Sequence, residues 1–159
     1  MAKVKFKGLE EYERQLMKIR AASEEVIGKA IHDGAGIVAD AVRDNINALP
    51  IDDRIAKNGQ MLYGITELQK EGLLNGFGIS KMRNDSGFIN VKLGFDGYNE
   101  VKTKKYPSGQ PNSMIARSVN SGTSFRQRLP FVDNAVKGKK SEAERKMAEK
   151  FDEALRDIL

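Results

Sequence analysis

The sequence predicts an α+β fold in which a small antiparallel sheet is covered by a long helix and by a C-terminal helix. Three patterns support this prediction: a continuous apolar helical face over residues 23–48, alternating apolar residues in a hairpin over 77–95, and an amphipathic stripe over 141–158. The length of 159 residues favours one domain, spanning 1–159, that buries about 70% of the surface its unfolded chain exposes.

The N-terminal third is predicted to contain a short strand and two helices. Apolar residues alternate with lysines over 4–6, which favours a strand, and they follow a three-four spacing over 9–19, which favours a helix. Ser23 is followed by two glutamates, a pattern typical of an N-cap, so a second helix is expected to begin there. It should stop before Pro50, because the residue preceding a proline disfavours helical geometry.

Three glycines, Gly28, Gly34 and Gly36, lie inside the second predicted helix. Each costs up to about 1 kcal/mol of helix stability relative to alanine. They indicate close approach by another element, either within the core or from a neighbouring subunit.

The middle of the chain is predicted to contain an exposed loop, a short helix and the hairpin. No useful periodicity is present over 50–63, which indicates a loop. Thr66 and Gln69 have the spacing of a capping box, and this predicts a short helix ending before Gly76. In the hairpin, the polar cluster 84–87 separates two apolar strands.

A second polar loop, expected to be exposed, covers 99–111. After it, a helix of about two turns is predicted with Asn112 or Ser113 as N-cap and Gly122 just beyond its end, although a strand is an alternative for so short a segment. A capping box that begins at Ser141 predicts the start of the last helix.

The net charge of +5 is concentrated in one part of the chain. Between residues 101 and 132 there is no Asp or Glu, and the rest of the chain carries 21 basic residues against 22 acidic. The six basic residues of this segment are Lys102, Lys104, Lys105, Arg117, Arg126 and Arg128. Such a patch favours polyanionic partners such as DNA, although solubility alone is a sufficient explanation for many patches of this kind.

The inventory of reactive side chains argues against an enzyme. There is no cysteine, and the single histidine, His32, lies inside a predicted helix, where a structural or solvent-facing role is far more common than catalysis. The paired acids Glu24-Glu25 and Asp52-Asp53 are interpreted as solvated surface. No phosphate-binding or calcium-loop motif is complete, so we expect no catalytic residue, cofactor or metal.

Membrane insertion is not expected either. No apolar run approaches the roughly 18 residues needed to cross a bilayer, and the first residues lack the apolar stretch of a signal peptide. We therefore expect the protein to stay in the compartment in which it is made.

Several segments occur in an order that resembles a known family. They are VKFKGLEEYERQLMKI, VIGKAIHDGAGIVADAVRDNI, GLLNGFGISKM, VKLGFDGYN and, above all, IARSVNSGTSFRQRLPFVDNAV. The most specific element is Ser121-Gly122-Thr123-Ser124 followed by Pro130-Phe131 and a C-terminal helix. This order resembles the tail-completion, or head-to-tail joining, proteins of long-tailed bacteriophages, also called minor capsid or neck proteins and typified by the gene-product-ten family of the Hong Kong lambdoid phage.

The resemblance implies an α+β structural virion protein that forms a ring, hexameric in this expectation, between the head connector or adaptor and the tail-terminator or tail-tube proteins. It places the protein in the virion neck and, during assembly, in the host cytoplasm. Non-specific contact with DNA in transit is compatible with the basic segment. The alternative is a small DNA-binding protein that uses residues 101–132.

In either case the candidate contact residues lie in the basic segment. They are Lys102, Lys104, Lys105, Arg117, Thr123, Phe125, Arg126 and Arg128. Gly122 is expected to end a helix, residues 123–129 to cross an exposed basic loop, and Pro130-Phe131 to re-enter the core. Replacing Arg126 and Arg128 with Glu is accordingly expected to leave the subunit folded and to impair ring formation or tail joining.

Overall fold

The computed structural model describes residues 9–56 and 59–158, within which the chain forms helices and two pairs of short antiparallel strands. In chain order the elements are α1 (Leu9–Asn47), α2 (Glu67–Gly76), β1 (Phe77–Ile79), β2 (Arg83–Asp85), β3 (Phe88–Asn90), β4 (Leu93–Phe95), α3 (Asn112–Ser121) and α4 (Phe131–Ile158). This confirms the predicted α+β class. The strand predicted over residues 4–6 lies outside the described residues. None of the described helices combines the length and apolar character needed to cross a membrane.

Helix α1 is one continuous helix of 39 residues, so the predicted break at Ser23 is wrong. The Ser23 hydroxyl donates a hydrogen bond to the backbone carbonyl of Ile19, four residues earlier in the same helix. Serine makes this bond inside helices as well as capping them. The local pattern of a serine followed by acids therefore does not distinguish a helix start from a helix interior.

Helix α4 begins at Phe131, well before the predicted capping box, and Ser141 lies inside it. The amide oxygen of Asn120 accepts hydrogen bonds from the backbone N–H groups of Val132 (3.0 Å) and Asp133 (3.2 Å). These are N–H groups of the first turn, which a capping Ser, Thr, Asp or Asn at the N-cap position often satisfies. Because the capping side chain belongs to helix α3, the local sequence does not reveal where α4 begins.

Helices α1 and α4 pack against each other, and the residues that meet show that they run antiparallel. At one end the Asn45 side chain donates to the carbonyl oxygen of Phe131 (2.9 Å), and further along a Cβ added to Gly34 would overlap the Met147 side chain. A Cβ at Gly28 would likewise overlap Met82, whereas one at Gly36 would meet nothing within 4 Å. The predicted close approach is thus confirmed for two of the three glycines, and the approaching elements belong to this chain.

The hairpin over 77–95 is confirmed, but its strands form two separate hydrogen-bonded pairs and not one continuous pair. Strands β1 and β4 place Phe77 opposite Phe95, while β2 and β3 form a separate outer pair closed by Ser86 and Gly87, whose φ angles are 57° and 94°. The Phe95 ring lies 4.9 Å from that of Phe77 and 6.0 Å from that of Phe131, measured between centroids. These rings join the inner strand pair to the start of α4.

The core lies between the C-terminal half of α1, helices α2 and α3, the inner strand pair and the start of α4. The capping box of Thr66 and Gln69 is present at the start of α2, as predicted. Helix α3 has Pro111 as its N-cap without a side-chain hydrogen bond, so the predicted caps Asn112 and Ser113 are wrong. The end of α3 at Gly122, with a φ of 77°, is confirmed.

Candidate docking surfaces

Arg126, predicted to lie on an exposed basic loop, is buried, with 5% of its surface exposed. Its Nη1 group donates to the backbone carbonyl of Gly64, and its Nε–H has no hydrogen-bond partner within the described residues. Burial lowers the pKa of the Arg126 guanidinium, and the nearby Asp52 charge acts in the opposite direction. The prediction of an exposed contact residue is wrong at this position.

The cause of this burial is a backbone pairing between the 122–131 segment and the loop before α2. The Leu62 N–H donates to the Phe125 carbonyl (2.8 Å) and the Gln127 N–H donates to the Leu62 carbonyl (2.8 Å), which makes Leu62 and Arg126 partners in a parallel bridge. Both partners point inwards and are buried. Because alternate residues of extended backbone face opposite sides, their neighbours face outwards.

Those outward neighbours form an exposed group of apolar side chains, which we call the apolar row: Met61, Tyr63 and Phe125. Their surfaces are 36%, 55% and 46% exposed. Phe125 is therefore confirmed as an exposed residue of the candidate segment. Met61 and Tyr63 were not predicted, because only the pairing with a distant segment places them beside Phe125.

Asp52 fixes the loop that carries Met61 and Tyr63, two of the three residues of the apolar row. Its carboxylate accepts hydrogen bonds from Arg54 Nε (2.8 Å), Arg54 Nη2 (2.7 Å) and the backbone N–H of Tyr63 (2.8 Å). The hydrogen bond from Arg54, followed by that from Tyr63, holds the pKa of Asp52 well below its usual range. The Asp52 side chain is only 9% exposed, so its interpretation as solvated surface is wrong. The Arg54 guanidinium also lies 5.8 Å from the centre of the Tyr63 ring.

The other residues of the 122–131 segment are held locally. Arg128 is exposed, and its guanidinium donates to the Asp133 carboxylate (3.1 Å) and to the Asn120 carbonyl (3.3 Å). Thr123 is exposed, and its N–H donates to the Arg126 carbonyl (3.0 Å). Pro130 is half-buried and Phe131 is 4% exposed, which confirms the predicted return to the core.

Residues 99–110, which we call the lysine loop, carry the remaining clustered charge. Lys102, Lys104 and Lys105 are exposed, as predicted. Thr103 and Tyr106 exchange backbone hydrogen bonds (3.0 and 3.1 Å), so Lys104 and Lys105 occupy the tip of a tight turn.

Buried amide side chains support the base of the lysine loop. The Asn99 Oδ1 atom accepts hydrogen bonds from the backbone N–H groups of Val101 (2.9 Å) and Gln110 (3.2 Å). Gln69 of helix α2 donates to the Gln110 side chain (2.9 Å), and the Asn112 amide donates to the Asp96 carbonyl (2.8 Å). Asn99, Gln69 and Asn112 are 3%, 5% and 2% exposed. The sequence alone does not predict this network, and its one local signal is a group of Asn and Gln residues near glycines.

Two glycines, Gly72 and Gly109, pack closely against these amide residues. A Cβ at Gly72 would lie 2.5 Å from the Asn99 Cβ atom and 2.6 Å from the Asn112 Oδ1 atom. Gly109 has a φ of 109° and faces the Asn99 carbonyl, so only a glycine fits there without strain. The lysine loop is therefore built on packed, hydrogen-bonded backbone.

The six basic residues of the acid-free segment thus occupy different environments. Three lie on the lysine loop, Arg117 is exposed on α3, Arg128 is paired with Asp133, and Arg126 is buried. Across residues 9–56 and 59–158, no group of His, Cys, Asp and Glu side chains is placed to hold a metal ion. The described residues therefore present two chemically distinct surfaces, the apolar row and the cationic lysine loop.

No protein-family model matches the chain, and neither a curated protein nor a solved structure is significantly similar to it.

Proposed function

We propose that this chain is a structural subunit of the neck of a tailed bacteriophage, where copies assemble as a ring, hexameric in this proposal, between the head connector and the tail. Its partners are further copies of itself, the connector or adaptor, and the tail-terminator or tail-tube protein. It performs no catalysis and resides in the virion after assembly in the host cytoplasm. The observation that carries the proposal is the apolar row, in which Phe125 of the segment that resembles the joining proteins is exposed together with Met61 and Tyr63.

The composition of the apolar row favours contact with protein. Aromatic residues, Met and Arg are enriched in protein interfaces. Beside the apolar row, the Arg54 guanidinium lies near the Tyr63 ring and donates to the Met61 carbonyl (3.2 Å). Large aromatic side chains bring extensive apolar area with few rotatable bonds, so ordering them costs little conformational entropy.

The backbone beneath the apolar row is already fixed in the subunit. The Leu62–Arg126 bridge and the Asp52 hydrogen bonds hold both segments before any partner arrives. Preorganisation of this kind lowers the entropy cost of association. A ring also requires that this surface meet a different surface on the next subunit, because cyclic assembly uses heterologous contacts.

The test compares the oligomeric state of the wild type with that of the double variant Tyr63→Ser/Phe125→Ser. Light scattering after size exclusion and electron microscopy are expected to give rings for the wild type and monomers for the variant. Phe88→Ser is a matched control, since Phe88 is 80% exposed on the outer strand pair, and it should still form rings. A wild type that is monomeric at its highest soluble concentration, or a double variant that still forms rings, overturns the proposal.

A monomeric wild type that binds one DNA sequence tightly would replace this proposal with the DNA-binding alternative. Measuring DNA affinity beside the solution mass of the same samples separates the two functions.

A further inference from the structure

The lysine loop presents positive charge that nothing in the described structure neutralises. Lys102, Lys104 and Lys105 are exposed, and none of them forms an ion pair with an acidic side chain among residues 9–56 and 59–158. The chain has no Asp or Glu from 101 to 132, and the nearest acids before the three lysines are Asp96 and Glu100. Positive potential is therefore concentrated at the tip of this loop.

The loop is held in one shape before it meets a partner. The turn between Thr103 and Tyr106 is closed by backbone hydrogen bonds and by the Thr103 hydroxyl, which accepts from the Tyr106 N–H (3.0 Å). At its base the Asn99 N–H donates to the Gln110 carbonyl (2.9 Å), and Tyr98 and Pro111 form an antiparallel bridge. Little backbone entropy is left to lose when the lysines engage a ligand.

The chemistry of the loop favours phosphate over a protein surface. Lysine is depleted in protein interfaces, whereas neutralisation of backbone phosphates by Lys and Arg supplies most of the affinity of non-specific nucleic-acid binding. Base edges are read by Arg or Lys on guanine and by Asn or Gln on adenine, and lysine alone therefore offers little discrimination beyond guanine. The loop contains no Arg, and its amides at Asn99 and Gln110 are occupied by hydrogen bonds at its base.

We propose that the lysine loop binds the phosphate backbone of double-stranded DNA without base specificity. The contact uses Lys102, Lys104 and Lys105 as point charges and excludes Arg126, which is buried, and Arg128, which is paired with Asp133. The inference rests on the loop alone and does not depend on the proposed ring.

The test measures binding of two unrelated DNA duplexes by fluorescence anisotropy over a range of salt concentrations. The wild type should bind both duplexes equally, with a logarithmic affinity that falls linearly with logarithmic salt concentration. Replacing all three lysines (K102Q/K104Q/K105Q) should reduce the magnitude of that slope by about 2.7, because each phosphate contact contributes about 0.9. At low salt the affinity should fall more than about tenfold.

The control variant K29Q/K137Q/K140Q removes the same charge from exposed lysines of α1 and α4. It should keep a slope close to that of the wild type. Equal losses in both variants would mean that only net charge matters and would overturn the proposal, as would wild-type affinity in the lysine-loop variant. Strong preference for one duplex, or no binding at low salt, would also overturn it. The solution mass of each variant shows whether ring formation fails independently.

Discussion

The lysine loop and the 122–131 segment are both basic and both contain glycine and proline, yet they are fixed by opposite means. The lysine loop rests on neutral amides, chiefly Asn99 and Gln69, and keeps its charges outside. The 122–131 segment is fixed by a buried charge, Arg126, and turns an apolar residue outwards. The residue that supports each region from inside therefore determines which chemistry is left on its surface for recognition.

The two kinds of internal support also determine which changes destabilise each region. A region supported by a buried charge is destabilised when the groups that compensate this charge are changed, because burying an uncompensated ion costs free energy. A packed amide network contains no titrating group and fails when shape is violated, because a displaced amide leaves buried polar atoms unsatisfied. We therefore expect that a substitution can destabilise one of the two regions and leave the other intact.

The largest effect is expected from Arg126→Glu, which places a carboxylate near Asp52 and removes the donor to the Gly64 carbonyl. We expect a loss of about 3–5 kcal/mol in the free energy of unfolding, as for other broken buried charge interactions. Arg128→Glu, at an exposed ion pair, should cost below about 1 kcal/mol. Urea unfolding of both variants tests this, and equal midpoints would contradict the burial of Arg126. A lower midpoint for Arg126→Glu than for Arg128→Glu would also distinguish two positions that are expected from the sequence to be equally exposed.

An intermediate effect is expected from Gly72→Ala, which forces a Cβ against Asn99 and Asn112. Overpacking of this kind costs about 1–3 kcal/mol. The N–H of Gln110, which Asn99 holds, should exchange faster with solvent than in the wild type. Gly78→Ala is the matched control, because a Cβ there meets nothing within 4 Å. Exchange at Leu62 and Gln127 should stay unchanged in both variants, and its acceleration would mean that the two regions are coupled.

The smallest effect concerns pH. The depressed pKa of Asp52 means that its carboxylate stabilises the fold above about pH 4, the ordinary value for an unfolded aspartate, and that this contribution is lost as the pH falls further. Asp52→Asn should therefore show a smaller loss of stability between neutral pH and acid than the wild type. Asp53→Asn, an adjacent exposed position, should retain the wild-type profile. Identical profiles for all three proteins would show that Asp52 does not support the loop.

Features that depend on neighbouring residues were predictable from the sequence. The capping box of α2, the end of α3 at Gly122 and the exposure of the three loop lysines each follow from residues within a few positions of one another. The hairpin follows from alternation and a polar turn in the same way.

Features that depend on residues far apart in the sequence could not be predicted from it. Helix α4 begins early because Asn120 caps it from twelve residues before Val132. Arg126 is buried because its segment pairs with Leu62, and its hydrogen-bond acceptor, Gly64, lies 62 residues away in the sequence. An arginine between Phe125 and Gln127 carries no local sign of such a partner. For the candidate site, the sequence therefore located the exposed lysines and Phe125 but not Met61, Tyr63 or the inward turn of Arg126.

The apolar row also has a consequence for the order of events in the cell. Phe125 contributes one side of it and Tyr63 the other, and these segments meet only when a loop of some 62 residues has closed. Contacts this far apart in sequence form late, because the entropy of closing the loop must be overcome first. A nascent or half-folded chain therefore presents only separate parts of this surface. In the proposed ring, the same pairing that builds the surface would exclude subunits that have not finished folding.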